Sequence, residues 1–556
     1  MIVFTRLSFV VFLAGLAAGC SSGESESEST TGGTGALGGT GGSALPATGG
    51  IGAGTPASGG SGATPSSGGA VASGGSQASG GSVESTTGGM GSGGLPASGG
   101  MATGGASPTG GRPSGGSFPS GGASATGGGS SVGGDPTTGG NLPTGGNSTT
   151  GGSSGDFEIS VHLASDENAQ APGTIGIVEW SVIPSDITEA HIDFGLDTTY
   201  GMVAPVDLDA GDLRTLLLGL KPSHEYHFRV VASTGTATYT SDDTSFMTGP
   251  PTDLVSVADF QVIDESARER GFIITEFFQL GTGGPAQGRG LAFIIDPDGD
   301  IVWWHQSSIS SMARARMSAD GKNMWLIASG LQGGALERVT MDTLEVETYP
   351  VVASHDITPV VGETMAYLDY GESDCDSIFE IDPSGTATEI FESQGVTSGQ
   401  CHGNALRYSA TEDVYTFSDH RVDVFVVDRT GDVRWRLSEL VGPNSTWGGS
   451  QHGHHLLDDS ILIFANDGGT RGAAAIEFDL DGNEISRYDP GISTSNLGDV
   501  QRLPGGNTLI TFSTSSIIHE YDASGAAVLT IDMGQSLIGY ASWRASLYGP
   551  PSDTPL

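Results

Sequence analysis

From residue 157 onward, apolar and polar positions alternate in short runs that are separated by turn residues. Segments 175–181, 226–232 and 507–512 are rich in β-branched and aromatic side chains. That pattern is typical of β-strands, and no stretch repeats its apolar residues at the 3.6-residue period of a helix. The sequence therefore predicts an all-β protein.

A turn motif repeats through the last 300 residues. Asp-x-x-Gly follows an apolar run at five places: Asp296, Asp382, Asp428, Asp479 and Asp522. The gaps are 86, 46, 51 and 43 residues, and Asp342 divides the first as a degenerate copy. Six copies of about 45 residues match the length of four-stranded propeller blades. We therefore expect a six-bladed β-propeller over 251–556, to which 255–278 contributes a closing strand.

Residues 156–250 have the shorter alternating runs of a β-sandwich. Leu220-x-Pro222-x-x-x-Tyr226 has the spacing of a tyrosine corner, and Trp180 lies where a core tryptophan is expected. This stretch resembles a fibronectin type III domain. We expect it to act as a spacer or docking domain and to carry no chemistry.

The N-terminus has the pattern of an export signal. Arg6 precedes an apolar run over 7–18 that is too short to span a bilayer. Its end, Ala17-Ala18-Gly19-Cys20, resembles a bacterial lipoprotein box, which implies cleavage after residue 19 and a lipid on Cys20. The protein would then be anchored in the bacterial cell envelope, at the outer membrane or its periplasmic face. An ordinary signal peptide with an incidental cysteine is the alternative.

Residues 20–155 are a Gly/Ser/Thr-rich segment with few large apolar residues, which predicts a disordered tether. The whole chain of 556 residues carries 64 acidic against 21 Lys and Arg residues, a formal net charge of −43. Such a surface repels phosphate backbones, so the composition argues against a nucleic-acid partner.

Three histidines recur in phase with the repeat. His355, His402 and His452 are 47 and 50 residues apart, one repeat each, in a position that Arg314 and Asp499 occupy in other copies. Equivalent positions are related by rotation about a propeller axis, so we expect the three imidazoles to meet at the mouth of the channel. The alternative is an incidental group of loop histidines.

Neighbouring residues extend this candidate site. Asn404 lies two residues after His402, His454 lies two residues after His452, and His420 and Arg421 end the next strand. Arg544, near the C-terminus, is expected to return a guanidinium to the first blade. Imidazoles, amides and guanidinium groups without a carboxylate pair favour an anion site. No Gly-x-Ser-x-Gly nucleophile elbow is present.

These motifs resemble the arylsulfate sulfotransferase family of exported six-bladed propellers. The resemblance covers about 260–556 and depends on His355-Asp-Ile, His402-Gly-Asn404, Ser418-Asp-His420-Arg421, Gln451-His452 and the 498–509 segment. It implies that His452 takes a sulfuryl group from an aryl sulfate ester and passes it to a phenolic acceptor, without a cofactor or metal. It also implies that His355, His402, Asn404 and Arg421 bind the sulfuryl oxygens and handle protons.

The chain departs from the family in two places. The family usually has Arg before His, whereas this chain reads His420-Arg421, so either could face the sulfate. The family also carries a Lys in its late blades, and here no Lys follows Lys322; Arg502 or Arg544 could replace it. In an oxidising compartment, Cys375 and Cys401 are expected to form a disulfide beside His402.

Two other functions remain open at this point. Three or four histidines from separate blades could ligate iron, zinc or copper. A long tether with a type III domain is also common in non-catalytic surface-binding proteins. Asn404 and the flanking arginines argue against a cation site, and the shared phase of the three histidines argues against a non-catalytic binding face.

Overall fold

The structure is a computed structural model of the chain. It describes residues 155–211, 213–279, 290–308, 312–328, 334–370, 375–396, 401–442, 447, 449–469, 472–534 and 537–549. The expected signal peptide, Cys20 and nearly all of the tether lie outside these residues. No described helix has the length and apolar character needed to cross a bilayer.

The first described part consists of two antiparallel sheets. One contains β1 (Asp156–Leu163), β2 (Gly176–Ile183) and β5 (Arg214–Leu217), and the other contains β3 (Glu189–Gly195), β4 (Met202–Pro205), β6 (Glu225–Ser233), β7 (Thr238–Thr240) and β8 (Thr244–Met247). The short α1 (Ala164–Glu167) and a 3₁₀ turn (Leu208–Ala210) connect strands. Trp180, Phe194 and Phe228 lie in the shared core. The Lys221 N–H donates to the Tyr226 hydroxyl at 3.0 Å, as expected for a tyrosine corner.

The remaining described strands form six antiparallel sheets. The first sheet contains β10 (Phe272–Gln279), β11 (Leu291–Ile295) and β12 (Ile301–Gln306) with β33 (Leu537–Ile538) and β34 (Ser542–Arg544), and the second contains β13 (Met312–Met317), β14 (Asn323–Ala328), β15 (Leu336–Thr340) and β16 (Val346–Tyr349). The third contains β17 (Ala353–Pro359), β18 (Met365–Asp369), β19 (Ser377–Ile381) and β20 (Ala387–Glu392), and the fourth contains β21 (Gly403–Ser409), β22 (Val414–Asp419), β23 (Asp423–Asp428) and β24 (Val433–Arg436). The fifth contains β25 (Gln451–Leu456), β26 (Ser460–Ala465), β27 (Ala474–Asp479) and β28 (Glu484–Tyr488), and the sixth contains β29 (Asp499–Arg502), β30 (Thr508–Phe512), β31 (Ile517–Tyr521) and β32 (Ala527–Asp532) with β9 (Asp259–Val262). The short α2 (Leu437–Val441) follows β24, and a 3₁₀ turn (Ser513–Ser515) follows β30.

These sheets are arranged as a propeller. Each sheet packs face to face on the next through a separate apolar cluster, and the sixth packs on the first through Leu509, Ile531, Phe293 and their neighbours. The ring is closed by hydrogen bonds between strands that are distant in sequence, because C-terminal β33 and β34 pair with β10 of the first sheet. The segment expected to contribute a closing strand also does so, because β9, which precedes the first sheet in sequence, pairs with β32 at the outer edge of the sixth sheet.

The Asp-x-x-Gly motifs lie where sequence analysis expects turns, and each connects the third and fourth strands of a sheet. At Asp296, for example, Oδ1 accepts the N–H groups of Asp298 and Asp300 at 2.9 and 2.8 Å. The glycine of the motif has a positive φ, 95° at Gly299, which a side chain would disfavour. The same geometry recurs at Asp382, Asp428, Asp479 and Asp522.

The sandwich packs directly against the first two propeller sheets. Ile177 and Leu218 share an apolar cluster with Trp303 and other buried propeller residues. Lys221 Nζ lies 2.5 Å from Asp296 Oδ2 and 2.7 Å from Asp300 Oδ2. The sandwich is therefore docked on the propeller, and its expected role as a spacer or docking domain stays a prediction.

Trp543→Ala should destabilise the propeller by about 3–5 kcal/mol, because it leaves a large cavity where the last strand closes the ring. Trp543 is 4% exposed and belongs to the cluster between the sixth and first sheets. The change in unfolding free energy is measured by urea denaturation. Ile485→Ala, at a side chain that is 55% exposed, is the control and should cost under about 1 kcal/mol. Equal costs for both variants would contradict the closure.

Candidate functional site

Four imidazoles, which we call the His cluster, lie at one end of the inner strands. His355 and His452 belong to β17 and β25, His402 immediately precedes β21, and His420 is in the turn between β22 and β23. Ring centroids are 4.7 Å apart for His355 and His402, 5.8 Å for His402 and His420, and 5.0 Å for His420 and His452. The three histidines expected from the repeat therefore meet, and His420 joins them.

Burial differs within the cluster. His355 and His452 are 3% and 0% exposed, whereas His402 and His420 are partly exposed. Burial lowers the pKa of all four imidazoles, and neighbouring imidazoles lower it further for His355, His402 and His452. For His402 the pKa falls to about 4. The cluster is accordingly neutral at pH 7.

The tautomer of His452 is fixed by Asn466, which follows β26. The Asn466 Nδ2 group donates to the carbonyl oxygens of Thr494 and Leu497 at 2.9 and 2.8 Å, so its Oδ1 faces His452 as an acceptor. His452 Nδ1–H donates to that oxygen at 2.7 Å. The lone pair of neutral His452 is then on Nε2, which is buried and has no hydrogen-bond partner among the described residues. An unpaired imidazole nitrogen of this kind is a ready nucleophile.

Nδ1 of His420 and Nδ1 of His355 also have hydrogen-bond partners. His420 Nδ1 lies 3.4 Å from the Gln451 carbonyl oxygen, which only accepts, so Nδ1 carries the proton there too. His355 Nδ1 lies 2.8 Å from the Ser354 hydroxyl. In both cases Nδ1 is held by a neighbouring group, and proton exchange is left to Nε2.

Two buried carboxyl groups lie behind the cluster, and sequence analysis did not single them out. Asp419 Oδ1 accepts the His402 N–H at 2.8 Å, and Asp376 Oδ2 accepts the Gly403 N–H at 2.7 Å. Burial raises the pKa of each to about 7. Asp376 follows Cys375, and Asp419 lies between Ser418 and His420. Neither sequence context indicates that the carboxyl group faces inward.

The amides have partly structural roles. Asn404 Nδ2 donates one hydrogen to the Gln451 carbonyl at 2.8 Å, and its Oδ1 has no partner within the described chain. Gln451 Nε2 donates to the carbonyls of Asp419 and Asp423 at 2.6 and 3.0 Å. Asn404 therefore keeps one amide hydrogen for a ligand, and Gln451 fixes the turn that carries His420.

His420 and Arg421, whose order differs from the family pattern, have different surroundings. His420 faces the cluster, whereas Arg421 is exposed in the tight turn with a φ of 60°. Burial is the main cause that lowers the pKa of His420; the Gln451 hydrogen bond raises this pKa, and the charge of Arg421 lowers it.

Cys375 and Cys401, the second of which adjoins His402, form the expected disulfide, with an S–S distance of 1.98 Å.

A second buried group, which we call the ionic ring, consists of Arg314, Asp356, Arg407 and Asp499. Arg314 lies 2.7 Å from both Asp356 Oδ1 and Asp499 Oδ2, and Arg407 lies 2.7 Å from Asp499 Oδ2. Arg314 and Asp499, which the repeat equates with the histidines, therefore pair with each other in this ring. Ion pairs of this kind tie β13, β17, β21 and β29 together.

Two expected site residues lie elsewhere. The expectation for His454 is wrong because the register of β25 shifts between Gln451 and His454, which breaks the two-residue periodicity. His454 Nε2 instead bonds the Thr416 hydroxyl at 2.8 Å, beside Arg407.

Arg544 returns to the first sheet through β34, as expected, but the expectation that it belongs to the site is wrong. Its guanidinium donates to the carbonyls of Met317, Ser318 and Ser546. Met317 ends β13, whereas the His cluster lies where the inner strands begin. Arg544 therefore holds the C-terminal segment on the second sheet at the opposite end.

That opposite end also contains a cavity of about 380 Å³, lined by Arg407, Thr416, His455, Arg502 and other residues of the last three sheets. It does not include the His cluster. In the part of the chain that the structure describes, no three His, Cys, Asp or Glu side chains are placed to hold a metal ion. The metal alternative therefore gains no supporting geometry.

No protein-family model matches this chain, and no curated protein sequence does either. Among solved structures, it is similar to TolB from Acinetobacter baumannii, with 13% identity, a TM-score of 0.34, and coverage of 59% of this chain and 80% of that chain. Virginiamycin B lyase from Staphylococcus aureus has 11% identity, a TM-score of 0.31, and coverage of 64% and 96%. The WD40 β-propeller domain of Doa1 has 10% identity, a TM-score of 0.33, and coverage of 51% and 84%. Similarity at this level carries no argument about function.

The Nδ1–H tautomer of His452 should be visible in ¹⁵N NMR shifts at pH 7.5, with Nε2 resonating as the unprotonated nitrogen. Asn466→Leu removes the acceptor and should abolish this preference. Partly exposed His191, in the sandwich, serves as the internal reference in both proteins. A protonated Nε2 in the wild type would contradict the assignment.

Acidification should destabilise the fold through the His cluster. For His402 the folded-state pKa of about 4 is below its unfolded value, so its contribution is present above about pH 6.5 and is lost as the pH falls toward 4. Urea unfolding between pH 7 and 4.5 should show that His402→Gln is less acid-sensitive than the wild type by roughly one proton. Identical slopes for the two proteins would show that His402 is not held neutral.

Proposed function

We propose that the chain is an aryl sulfotransferase that moves a sulfuryl group from an aryl sulfate ester to a phenol through a sulfohistidine at His452. The proposal includes a six-bladed propeller, with each of the six sheets as one blade, and a fibronectin type III-like sandwich docked on it. The observation that carries it is the buried, unpartnered Nε2 of His452 inside a group of neutral imidazoles.

In the first stage, His452 Nε2 attacks the sulfur of the donor. The N–S bond forms as the S–O bond to the aryl group breaks, and the electron pair leaves with the phenolate oxygen. Sulfuryl transfer, like phosphoryl transfer, depends mainly on positioning and on stabilising the charge of the equatorial oxygens. Asn466 keeps its hydrogen bond to Nδ1–H throughout, so the imidazole carries the sulfuryl group without reorienting.

In the second stage, the acceptor phenol attacks the same sulfur. The N–S bond breaks, its electron pair returns to His452 Nε2, and the phenolic proton passes to a neighbouring imidazole. His355, His402 and His420 lie around His452 for this purpose. Dividing the transfer into two stages lowers each barrier, which is the advantage of covalent catalysis.

Binding of an anion at a neutral cluster in an acidic protein needs local donors. Exposed Arg421 and the remaining amide hydrogen of Asn404 supply two of them. Partly exposed His402 and His420 supply more when they take up protons on sulfate binding. We place this chemistry in the cell envelope, where lipidated Cys20 would anchor the chain. A transfer from an aryl sulfate ester to a phenol needs no cytoplasmic sulfate carrier.

His452→Ala should lower the rate of sulfuryl transfer from 4-nitrophenyl sulfate to phenol at least about 10³-fold, since it removes the covalent nucleophile. His191→Ala, at a partly exposed histidine of the sandwich, is the control and should keep the wild-type rate. Transfer is measured by nitrophenolate release and by the sulfated acceptor. Wild-type transfer that survives in His452→Ala would refute the proposed nucleophile, and phenol binding without any turnover would favour the surface-binding alternative.

A further inference from the structure

Two buried residues outside the cluster stand behind His355. Its Nδ1 lies 2.8 Å from the hydroxyl of Ser354, which is 0% exposed. That hydroxyl also hydrogen-bonds the Asp376 carboxyl, which precedes β19 and is itself fully buried. His355, Ser354 and Asp376 therefore form a chain that leads away from the site.

The direction of these hydrogen bonds fixes the tautomer of His355. A serine hydroxyl has one hydrogen, and an ionised carboxylate only accepts. When Ser354 donates to Asp376, its oxygen must accept from His355 Nδ1–H. The lone pair of His355 is then on Nε2, the position from which a proton can be taken.

His355 and His452 differ in what lies behind Nδ1. Behind His452 is the neutral amide of Asn466, which orients the ring and offers no charge to an imidazolium. Behind His355 is an ionisable carboxyl, reached through one hydroxyl. A carboxylate in that place stabilises an imidazolium, so it favours proton uptake by His355.

We propose that Ser354 and Asp376 are positioning residues that make His355 the proton acceptor for the incoming phenol. This inference depends on the proposed sulfuryl transfer. As the phenol oxygen bonds to sulfur, its proton moves to His355 Nε2 while the N–S bond to His452 breaks. His355 then returns the proton to solvent, and this balances the proton that solvent gives to the phenolate released in the first stage.

The surroundings of Asp376 define when it is ionised. Burial raises the pKa of Asp376 to about 7, the contacts of Ser354 and of the Gly403 N–H oppose that rise, and Asp419 and Asp369 add to it by repulsion. His355 itself faces His402, His420 and His452. The second stage should therefore speed up as the pH rises through about 7.

The test resolves the two stages with 4-nitrophenyl sulfate, whose leaving group departs without a proton. In Asp376→Asn the first nitrophenolate burst should stay within about twofold of the wild-type rate. The acceptor stage should slow about 10²–10⁴-fold with a nearly unchanged KM, and its rise near pH 7 should vanish. Equal slowing of both stages, or no slowing of the acceptor stage, would overturn the proposal.

¹⁵N NMR of His355 gives a readout that does not need turnover. The wild type and Asp376→Asn, whose amide still accepts from Ser354, should show Nδ1–H, and Ser354→Ala should lose that preference. Asp419→Asn is the matched control, because Asp419 is a buried carboxyl of similar pKa that bonds the His402 backbone, and it should leave the His355 tautomer unchanged. If the wild type transfers no sulfuryl group, the proposed function fails. The NMR comparison still decides the positioning role, which a wild-type His355 with Nε2–H would overturn.

Discussion

Ion pairs in the ionic ring hold the inner strands of the propeller in fixed register. Arg314 bridges Asp356 and Asp499, and Arg407 shares Asp499, so four inner strands from different sheets are joined by paired charges. All four groups are buried, and loss of one partner from a buried pair costs about 3–5 kcal/mol because the other charge is left alone. His355 adjoins Asp356 in sequence, so this register also places the first imidazole of the cluster.

In the His cluster, burial determines the chemistry of the side chains. Imidazoles that lose water without gaining a carboxylate contact remain neutral, and their lone pairs stay available. The protein then separates their roles by what lies behind each Nδ1, which is an amide at His452, a backbone carbonyl at His420 and a hydroxyl with a carboxyl at His355. Similar rings with different partners can serve as nucleophile and as base in one site.

Much of the fold was predictable because its signals are local. Each Asp-x-x-Gly turn has its own hydrogen bonds and its own positive φ, so the spacing of these turns along the sequence predicts where the sheets lie. His355, His402 and His452 follow the same spacing. A return of Arg544 to the first blade was expected, but the pairing of β33 and β34 with β10 was not, because it joins residues more than 250 positions apart and a short strand has no local mark of its partner. A register shift in β25, which no residue pattern shows, moved His454 away from the cluster. Asn466 and Asp376 were missed for the same reason, since their roles arise from contacts between strands.

The most direct measurement is intact-protein and peptide mass spectrometry after incubation with an aryl sulfate and no acceptor. We expect one sulfuryl group per chain, located on His452, and its loss when phenol is added. A sulfuryl group on another residue, or no adduct under conditions in which the wild type releases a burst of phenolate, would contradict the central claim that His452 Nε2 is the nucleophile.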